Sequence, residues 1–436
     1  MSYLRGMNDT ECTQKGLRAL SPLIVFLLLY LFLSIVADDF YAVPLTVAFL
    51  AASLYSLLII KGESISQRFA YLSEGASTPG VMQMIWIFIL AGAFAATAKQ
   101  MGAIDATIGL ALRAVPPGFV LSSLFLASCF ISLATGTSVG TIAALVPIAG
   151  SMAEQTQSNA AMMVAIVVGG AYFGDNLSFI SDTTIVATQT QGCEMKDKFR
   201  ANVRIALPAA VICLVLYACL PAVKVEPELL EEVNYTAIIP YIYIIVAALA
   251  GMNVMLVLAS ATVLAGTIGI VSNSMSQFVW LRAMNDGIMD TSELIIVTLL
   301  AAGLMNVIRK AGGIDWLMHQ FGSRCVTRRR AELSMAAMVV LADFCTANNT
   351  IAILSVGPLA KDLATRYGIA PRRAASILDT FSCLAQGIIP YGAQLLIASG
   401  LANVSPLDII PYLYYPYILG GVALLYILMY REKDTN

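Results

Sequence analysis

Long apolar runs separated by short polar links fill most of this chain. In the first half they are residues 20–36, 41–60, 81–98, 119–133, 139–153, 160–173 with its continuation 184–191, and 205–223. In the second half they are residues 237–250, 254–271, 294–308, 333–345, 350–363, 374–385 with its continuation 392–401, and 409–429. A helix of about 20 apolar residues crosses the hydrocarbon core of a bilayer. The pattern therefore predicts an all-α polytopic membrane protein.

The order of runs restarts at a spacing of about 210 residues, as in the internal repeats of many secondary transporters. Polar residues recur at nearly the same spacing: Ser66-Gln67 with Ser276-Gln277, Lys99–Asp105 with Arg309–Asp315, Thr141-Ile142-Ala143 with Thr350-Ile351-Ala352, and Gly192 with Gly400. Each half holds five continuous spans, an odd number, so the second half enters the membrane upside down. We therefore predict two inverted repeats of five spans each, residues 1–223 and 224–436.

Each predicted repeat contains two short apolar arms joined by a small link. The link at residues 134–138 is uncharged, and the link at residues 342–349 is similar in size. The arms hold about 13 to 15 residues, roughly 20 Å of helix against a hydrocarbon core of about 30 Å. We predict one re-entrant hairpin in each repeat, with two full spans per hairpin as the alternative.

The run at residues 160–191 is too long for one straight span. Its 32 residues would measure about 48 Å as a single helix, so the helix must break. We predict the break between Asp175 and Asp182. The counterpart in the second repeat is residues 385–392, where glycine and proline interrupt the helix. The two hairpin tips and the two broken helices would then converge near the middle of the membrane.

Composition supports a membrane protein and argues against other classes. The 436 residues are 59% hydrophobic and only 12% charged, which is too apolar for an ordinary soluble protein. The net charge of −2, without a basic stripe carrying aromatics, argues against nucleic-acid binding. The eight cysteines include no CxxC pair, so we expect neither a disulfide framework nor a metal cluster. The chain has no Walker or dinucleotide loop and a lone histidine, His319, so we expect no cofactor and no enzyme.

Basic residues are distributed unevenly between the two predicted sides. With the N-terminus inside, all but four of the 25 lysines and arginines fall in the inner links, and the four outside are Lys99, Arg113, Lys224 and Arg282. This bias is typical of a cytoplasmic surface. We therefore predict a multi-pass plasma-membrane protein with both termini in the cytoplasm and the acidic link at residues 226–232 outside. The first run lacks a cleavage site, so we expect it to be retained.

Acidic and hydroxylated residues interrupt the apolar pattern at Gly174–Thr184, which reads GDNLSFISDTT. A carboxylate at membrane depth is costly, so it faces a protein interior or a watery cavity and marks an ion or proton route. The segment closely resembles the signature of the NhaC family of sodium/proton antiporters, GDKLSPLSDTT. Asn176 stands where lysine is common in that family, and Phe179 where proline is common.

The resemblance implies a secondary antiporter in the bilayer that exchanges Na⁺ for H⁺. Relatives in that family also include carriers of malate, lactate and amino acids, so a Na⁺- or H⁺-coupled carrier of a small organic acid or amino acid is the alternative. The arrangement also resembles a wider ion-transporter superfamily, in which a scaffold domain carries a moving transport domain. In this chain the two parts would be interleaved in sequence, and a homodimer is an open option.

Four carboxylates in or beside the predicted spans are candidate ion sites: Asp175, Asp182, Asp343 and Asp379. Burial raises the pKa of a carboxyl group toward neutrality, so one group can bind a proton or a sodium ion in competition. Asp175 ranks first because it carries the signature and lies at a predicted break. Asp175 and Asp182 are the candidate Na⁺ ligands. Asp379 ranks last because it could lie near the start of its helix.

Sodium binds oxygen ligands, which hydroxyls, amides and freed backbone carbonyls supply. The candidates at the tips and breaks are Thr135, Thr137, Ser138, Ser178, Ser181, Thr183, Thr346, Asn348, Asn349, Thr350 and Gln386. Each one taken singly could instead serve helix packing, and the aspartates at the break could simply cap the half-helices. As two symmetric clusters, these residues favour an ion site.

No lysine or arginine is predicted deep in a span, and Arg309 and Lys310 are placed at a helix end that reaches the interface. An anionic substrate would then need helix N-termini or sodium as its counter-charge, so cation exchange is the simpler interpretation. An intramembrane aspartyl protease is a poor match, because Tyr172 stands where its GxGD motif needs glycine. A channel is a further alternative. Flux through an exchanger saturates and depends strictly on a counter-ion, whereas flux through a channel does not.

Overall fold

The computed structural model describes residues 16–26, 28–29, 45–60, 63–178, 181–223, 234–250, 252–313, 316 and 327–429. Some sequence predictions lie outside these residues and stay predictions. They concern the signature positions Phe179 and Ile180, the acidic link at residues 226–232, His319, and the basic residues near both termini.

All regular structure in the described residues is helical. In the first half the helices are α1 (Gly16–Phe26), α2 (Leu45–Ile59), α3 (Ile65–Ala76), α4 (Pro79–Gln100), α5 (Ala103–Ala114), α6 (Val120–Thr135), α7 (Ser138–Gln155), α8 (Ala160–Leu177), α9 (Asp182–Gln191) and α10 (Met195–Cys219). In the second half they are α11 (Ile239–Leu249), α12 (Val254–Val271), α13 (Gln277–Asp290), α14 (Ser292–Lys310), α15 (Arg328–Thr346), α16 (Asn349–Arg366), α17 (Pro371–Ile388), α18 (Ala393–Ala402), α19 (Pro406–Ile409) and α20 (Tyr414–Met429).

Several helices of the described chain are long and apolar enough to cross a membrane. Six stretches meet that standard: residues 79–100, 160–191, 195–219, 254–271, 277–310 and 371–402. The number rises to eight if two bent helix pairs, with bends of 109° and 50°, each form one span. The prediction of an all-helical polytopic membrane protein is thereby confirmed, whereas the count of ten spans and their inverted orientation stay predictions.

Corresponding helices of the two halves share a constant offset. α7, α8 and α9 begin at residues 138, 160 and 182, and α16, α17 and α18 begin at residues 349, 371 and 393, a difference of 211 each time. The sequence comparison is therefore slightly out of register. By helix starts Thr141 corresponds to Ala352, and Gly192 corresponds to Asn403, which closes its helix in the same left-handed conformation. Matching identical residues gives the wrong alignment here, because the helix ends are set by capping positions and several residue types can occupy a cap.

The hairpin arms are longer than the sequence predicts. α6, α7, α15 and α16 contain 16, 18, 19 and 18 residues, not 13 to 15. At 1.5 Å per residue they measure about 24 to 29 Å. The length of the apolar run underestimates the length of the helix, because polar residues at the ends of the run are also helical. Whether the arms are re-entrant or fully spanning stays a prediction.

Intervals predicted as links also contain helix. α3 lies within residues 61–80 and α13 within residues 272–293, and α10 begins at Met195 inside the predicted link at 193–204. Serine caps start the first two helices, since the Ser64 and Ser276 hydroxyls accept hydrogen bonds from the N–H groups of Gln67 and Val279. The early start of α10 matters most, because it carries a lysine into the protein interior.

The two halves interlock at the centre of the molecule. α9 of the first half packs against α16, and α18 of the second half packs against α7. A second group of helices packs side by side, with α4 against α12 and α13, and α14 against α2 and α3. α8 and α6 pack so closely at Gly174 that any Cβ atom there would collide with Ser132. The signature glycine thus sets the distance between the helix that carries Asp175 and the first hairpin.

Candidate ion-binding site

The first hairpin tip is a tight turn between α6 and α7. Gly136 follows α6 with a φ of 68°, in the left-handed region that glycine tolerates. Thr137 then caps α7 by accepting a hydrogen bond from the Gly140 N–H at 3.3 Å. Ser138 is the first residue of α7, so its backbone N–H has no partner within the helix. That N–H is therefore available to a group from another element.

The second tip repeats this arrangement with different residues. Ala347 occupies the left-handed position with a φ of 50°, and Asn348 caps α16 by accepting a hydrogen bond from the Ile351 N–H at 3.0 Å. A left-handed residue with a Cβ atom costs roughly 1–2 kcal/mol, and such strain persists only where the surroundings enforce it. The second tip carries strain that glycine avoids in the first.

Both predicted helix breaks are confirmed. α8 ends at Leu177 and α9 begins at Asp182, while α17 ends at Ile388 and α18 begins at Ala393. Asp175 therefore lies in the last turn of α8. Its backbone carbonyl accepts hydrogen bonds from the hydroxyls of Thr183 at 3.4 Å and Thr184 at 3.3 Å. These hydroxyls satisfy a carbonyl that the helix end leaves free.

A chain of hydrogen bonds joins both tips and both breaks. The Ser138 N–H donates to Oδ1 of Asp175 at 3.2 Å, and Nε2 of Gln394 donates to the Ser138 hydroxyl at 3.1 Å. Nε2 of Gln386 in turn donates to Oε1 of Gln394 at 2.9 Å and to the Ala347 carbonyl at 3.2 Å. The two tips and the two breaks thus meet at one place.

Asp175 and Asp182 occupy different environments. Asp175 is only 4% exposed, and its carboxylate lies at the N-terminus of α7, where the helix dipole favours negative charge. It therefore reaches across to another helix and does not cap its own. Asp182 is exposed and is the first residue of α9, preceded by Ser181 at the cap position. The simple capping interpretation fits neither residue, although a carboxylate in the first turn still favours the helix.

A cavity of ≈ 450 Å³ opens beside the tips. Ten predicted site residues line it: Thr137, Ser138, Asp175, Ser181, Asp182, Thr183, Thr346, Asn348, Asn349 and Thr350. Its opposite wall comes from α4 and α14 and includes Met84, Met305, Asn306 and Arg309. The cavity therefore lies between the interlocked hairpins and the second group of helices. Five predicted residues lie outside its lining: Thr135, Ser178, Asp343, Asp379 and Gln386.

Asp343 is buried behind the second tip. Its side chain is fully inaccessible, and neither carboxyl oxygen forms a regular hydrogen bond with any described residue, although the Gln386 backbone lies nearby. A buried carboxylate without partners is very unfavourable. Asp343 is therefore suited to hold a proton in this arrangement, away from the cavity wall.

Asp379 lies in the middle of α17 and forms a buried ion pair, so placing it near a helix start is wrong. Nζ of Lys198 lies 2.7 Å from Oδ2 of Asp379 and also donates to the Asn176 carbonyl and the Thr184 hydroxyl. Nδ2 of Asn202 donates to the same Asp379 oxygen at 2.8 Å. Lys198 is therefore a buried cation that the sequence did not predict, while the expectation of no cation deep in a span stays a prediction. Lys198 lies in the first turns of α10, a helix long and apolar enough to span the membrane.

Sequence reasoning missed four polar residues of this region: Lys198, Asn202, Asn306 and Gln394. Lys198 stands among other charges at residues 196–204, which looks like a solvated link. Gln394 lies within an apolar run next to the second break, and a polar side chain in that position was the signal available. Asn306, whose side chain accepts a hydrogen bond from Arg309 at 2.7 Å, stands in an apolar helix in the same way.

Comparisons with known proteins agree with an ion-binding site in this cavity. The model of the Na⁺/H⁺ antiporter family matches this chain over residues 19–222 and again over residues 218–430. The chain belongs to the Na⁺/H⁺ antiporter family. The resemblance found at Gly174–Thr184 is confirmed, as is the prediction of a secondary transporter that exchanges Na⁺ for H⁺. The roles of individual site residues stay predictions.

Three relatives extend along most of the chain. The malate-2H⁺/Na⁺-lactate antiporter of Bacillus subtilis is 20% identical, over 81% of this chain and 84% of its own length. An uncharacterized Na⁺/H⁺ antiporter of Haemophilus influenzae is 23% identical, over 91% and 92%. The Na⁺/H⁺ antiporter NhaC of Alkalihalophilus pseudofirmus is 21% identical, over 78% and 81%.

Proposed function

We propose that this antiporter exchanges Na⁺ for H⁺ at the Asp175 carboxylate, inside the cavity between the hairpin tips and α14. The observation that carries this assignment is the contact between the Ser138 N–H and Oδ1 of Asp175, which ties a signature carboxylate to a hairpin tip. The carboxylate is buried yet lines a cavity of ≈ 450 Å³. It is therefore shielded from bulk water but open to an ion.

One carboxylate can serve both ions because the two compete for it. A charged group held away from water needs a counter-charge, so Asp175 binds either a proton or a cation. The N-terminus of α7 supplies only a partial positive charge, too little to neutralise the group. Loading with Na⁺ therefore requires that the proton leave, and this requirement couples the two fluxes.

Hydroxyl oxygens at the first break are suited to complete the Na⁺ site. The side chains of Ser181 and Thr183 lie 3.0 Å apart and both line the cavity with Asp175. Asp182, exposed at the same wall, adds negative charge that attracts cations into the cavity. Together they offer the oxygen ligands that a hard cation prefers.

Transport also requires that the site face each side of the membrane in turn. We propose that the interlocked hairpins move against the group formed by α2–α4 and α12–α14, with the cavity at the boundary. Support for two repeats, inverted by the odd number of spans, comes from the constant helix offset and from the double match to the family model. In the plasma membrane, with both termini in the cytoplasm, the arginine-rich ends of α10, α15 and α17 would face inward.

A second candidate function is exchange involving a small organic anion. The cavity is far larger than a sodium ion, and Arg309 lines its wall beside Asn306. A guanidinium binds carboxylates well. One relative is a malate-2H⁺/Na⁺-lactate antiporter.

Flux through proteoliposomes separates the two functions. The purified protein is reconstituted with a pH-sensitive dye inside, and a Na⁺ gradient is applied with and without malate or lactate. Proton movement driven by Na⁺ alone supports exchange of the two cations. Proton movement that strictly requires an organic anion and is lost in Arg309→Gln supports the second function and excludes the first.

A further inference from the structure

A second large cavity lies at the opposite end of the helices that form the ion site. It has a volume of ≈ 670 Å³, and α4, α7, α14 and α18 all contribute to its lining. The same four helices line the cavity that contains Asp175, called the Asp175 cavity below. We propose that Na⁺ reaches Asp175 from the other side of the membrane through the second cavity. This role rests on the function proposed above; the route passes Thr298, and Val297 and Leu396 close it.

Together the two cavities extend along almost the whole length of two long helices. α4 contributes Pro79, its first residue, to the Asp175 cavity and Lys99, in its last turn, to the second cavity. α14 contributes Arg309, in its last turn, to the Asp175 cavity and Glu293, in its first turn, to the second cavity. The 22 residues of α4 measure about 33 Å, against a hydrocarbon core of about 30 Å. The two cavities therefore lie toward opposite faces of the membrane.

The barrier between the cavities is thin where α18 packs against α4 and α14. On α14, Thr298 lines the Asp175 cavity, and the residue before it, Val297, lines the second cavity. On α18, Gln394 lines the Asp175 cavity and Leu396 lines the second cavity. One or two residues correspond to about 1.5 to 3 Å along a helix axis. Less than one turn of each of these two helices therefore separates the two linings.

The side chains at the thin part of the barrier are apolar. Val297 and Leu396 are each 1% exposed. An ion that enters an apolar layer loses its hydration at a high cost in free energy, so such a layer blocks Na⁺. Leu396 belongs to the interlocked hairpins, whereas Val297 belongs to the second group of helices. A movement of one group against the other would therefore separate the two side chains and open the passage.

Thr298 carries an independent sign that an ion passes the barrier. Its side chain borders the Asp175 cavity next to Val297 and is 7% exposed. Its hydroxyl has no hydrogen-bond partner among the described residues, although most buried hydroxyls in proteins are satisfied. A hydroxyl oxygen is a suitable ligand for a hard cation such as Na⁺. The position of Thr298 fits a contact that the ion makes as it moves between the cavities.

The charge of the second cavity favours a cation. Three acidic side chains of its described lining, Glu154, Asp290 and Glu293, are exposed, against the basic Lys99. None of these four forms a salt bridge with another described residue. A recess with excess negative charge raises the local concentration of cations. The second cavity would therefore collect Na⁺ in front of the barrier.

Cysteine labelling tests the two cavities without relying on transport. Ser399→Cys places a thiol in the second cavity, and Thr350→Cys places one in the Asp175 cavity. A membrane-impermeant maleimide is added to right-side-out and to inverted membrane vesicles, and mass spectrometry separates the new thiols from the native cysteines. We expect the two thiols to react faster from opposite faces. Faster reaction of both from the same face, or no reaction of Ser399→Cys from either face, would overturn the route.

Thr298→Val tests the contact on the route. The variant keeps the side-chain shape and removes a hydroxyl without a partner in the described structure, so it should fold like wild type. In Na⁺-driven proton flux its apparent affinity for Na⁺ should fall about tenfold, the effect of losing one polar partner of a charged group. Thr262→Val is the control, because Thr262 is buried on α12 and its hydroxyl donates to the Leu258 carbonyl. Wild-type affinity for Na⁺ in Thr298→Val would remove Thr298 from the route.

Leu396→Ala tests the barrier. It should allow uptake of radioactive Na⁺ without proton release, whereas the control Leu395→Ala, at an equally buried neighbour outside both described linings, should keep the two fluxes coupled. Val297→Ala, a smaller truncation, takes its place if Leu396→Ala does not fold. Full coupling in the folded variant would overturn the gate. Exchange that survives Asp175→Asn would instead overturn the proposed function, and the labelling pattern would not change.

Discussion

Replacing Lys198 by methionine tests the buried ion pair beneath the first helix break. In the wild type, Nζ of Lys198 lies 2.7 Å from Asp379, 2.8 Å from the Asn176 carbonyl and 2.6 Å from the Thr184 hydroxyl. Lys198→Met removes all three contacts at once. Asp379 then keeps the hydrogen bond from Asn202 but loses its counter-charge in a fully buried position.

The expected loss of stability is large. Removing one partner of a buried ion pair costs about 3–5 kcal/mol, mostly because the other charge is left uncompensated. Replacing both partners by apolar residues costs far less and is often neutral. Lys198→Met/Asp379→Leu should therefore be more stable than Lys198→Met alone, although Asp379→Leu also removes the hydrogen bond from Asn202.

The assay is thermal unfolding of the purified variants in detergent, together with the double-mutant comparison. Lys196→Met is the matched control, because Lys196 lies on the same first turn of α10 and is exposed. We expect a much lower unfolding temperature for Lys198→Met than for Lys196→Met. Equal unfolding temperatures for the two variants would refute the ion pair as a stabilising element of the break.

Three further variants test the geometry around the tips. Gly174→Ala should reduce the yield of folded protein and the transport rate, because its Cβ atom would collide with Ser132. Gly118→Ala is the control, because a Cβ atom there would meet open space, and it should be neutral. Both variants are compared by yield in detergent and by flux. Ala347→Gly should raise the unfolding temperature by relieving roughly 1–2 kcal/mol of left-handed strain, and a lower temperature would show that the strain is not there. Gln394→Leu should impair exchange by cutting the hydrogen-bond chain between Ser138 and Gln386, and wild-type exchange at normal yield would remove that chain from the mechanism.

The helix breaks were predictable from the sequence because they depend on two local features, the length of the apolar run and the polar residues within it. A run of 32 residues cannot cross a bilayer as one rod, and the polar signature residues mark where it must stop. The observed ends at Leu177 and Asp182 lie within the predicted interval. The polar tips were predictable for a similar reason, since the short links between apolar arms contain the caps Thr137 and Asn348.

The partners of the buried charges were not predictable in the same way. Lys198 and Asp379 are 181 residues apart in the chain and meet only because α10 packs against α17. In the sequence Lys198 is one of four basic residues at 196–204, and its three neighbours Lys196, Arg200 and Arg204 are indeed exposed. No pattern of apolar and polar positions separates the one buried lysine from the rest. Its role depends on the counter-charge that the fold supplies.

The assignment of Asp175 as the shared ion site is tested most directly by Na⁺-driven proton flux in proteoliposomes that contain Asp175→Asn. The variant keeps the side-chain shape and can still accept the Ser138 N–H hydrogen bond, so it should insert and fold like wild type. Asp408→Asn, at an exposed position far along the chain, is the control. We predict that Asp175→Asn abolishes coupled Na⁺/H⁺ exchange while Asp408→Asn preserves it. Coupled exchange at the wild-type rate in Asp175→Asn would contradict the central role of this carboxylate.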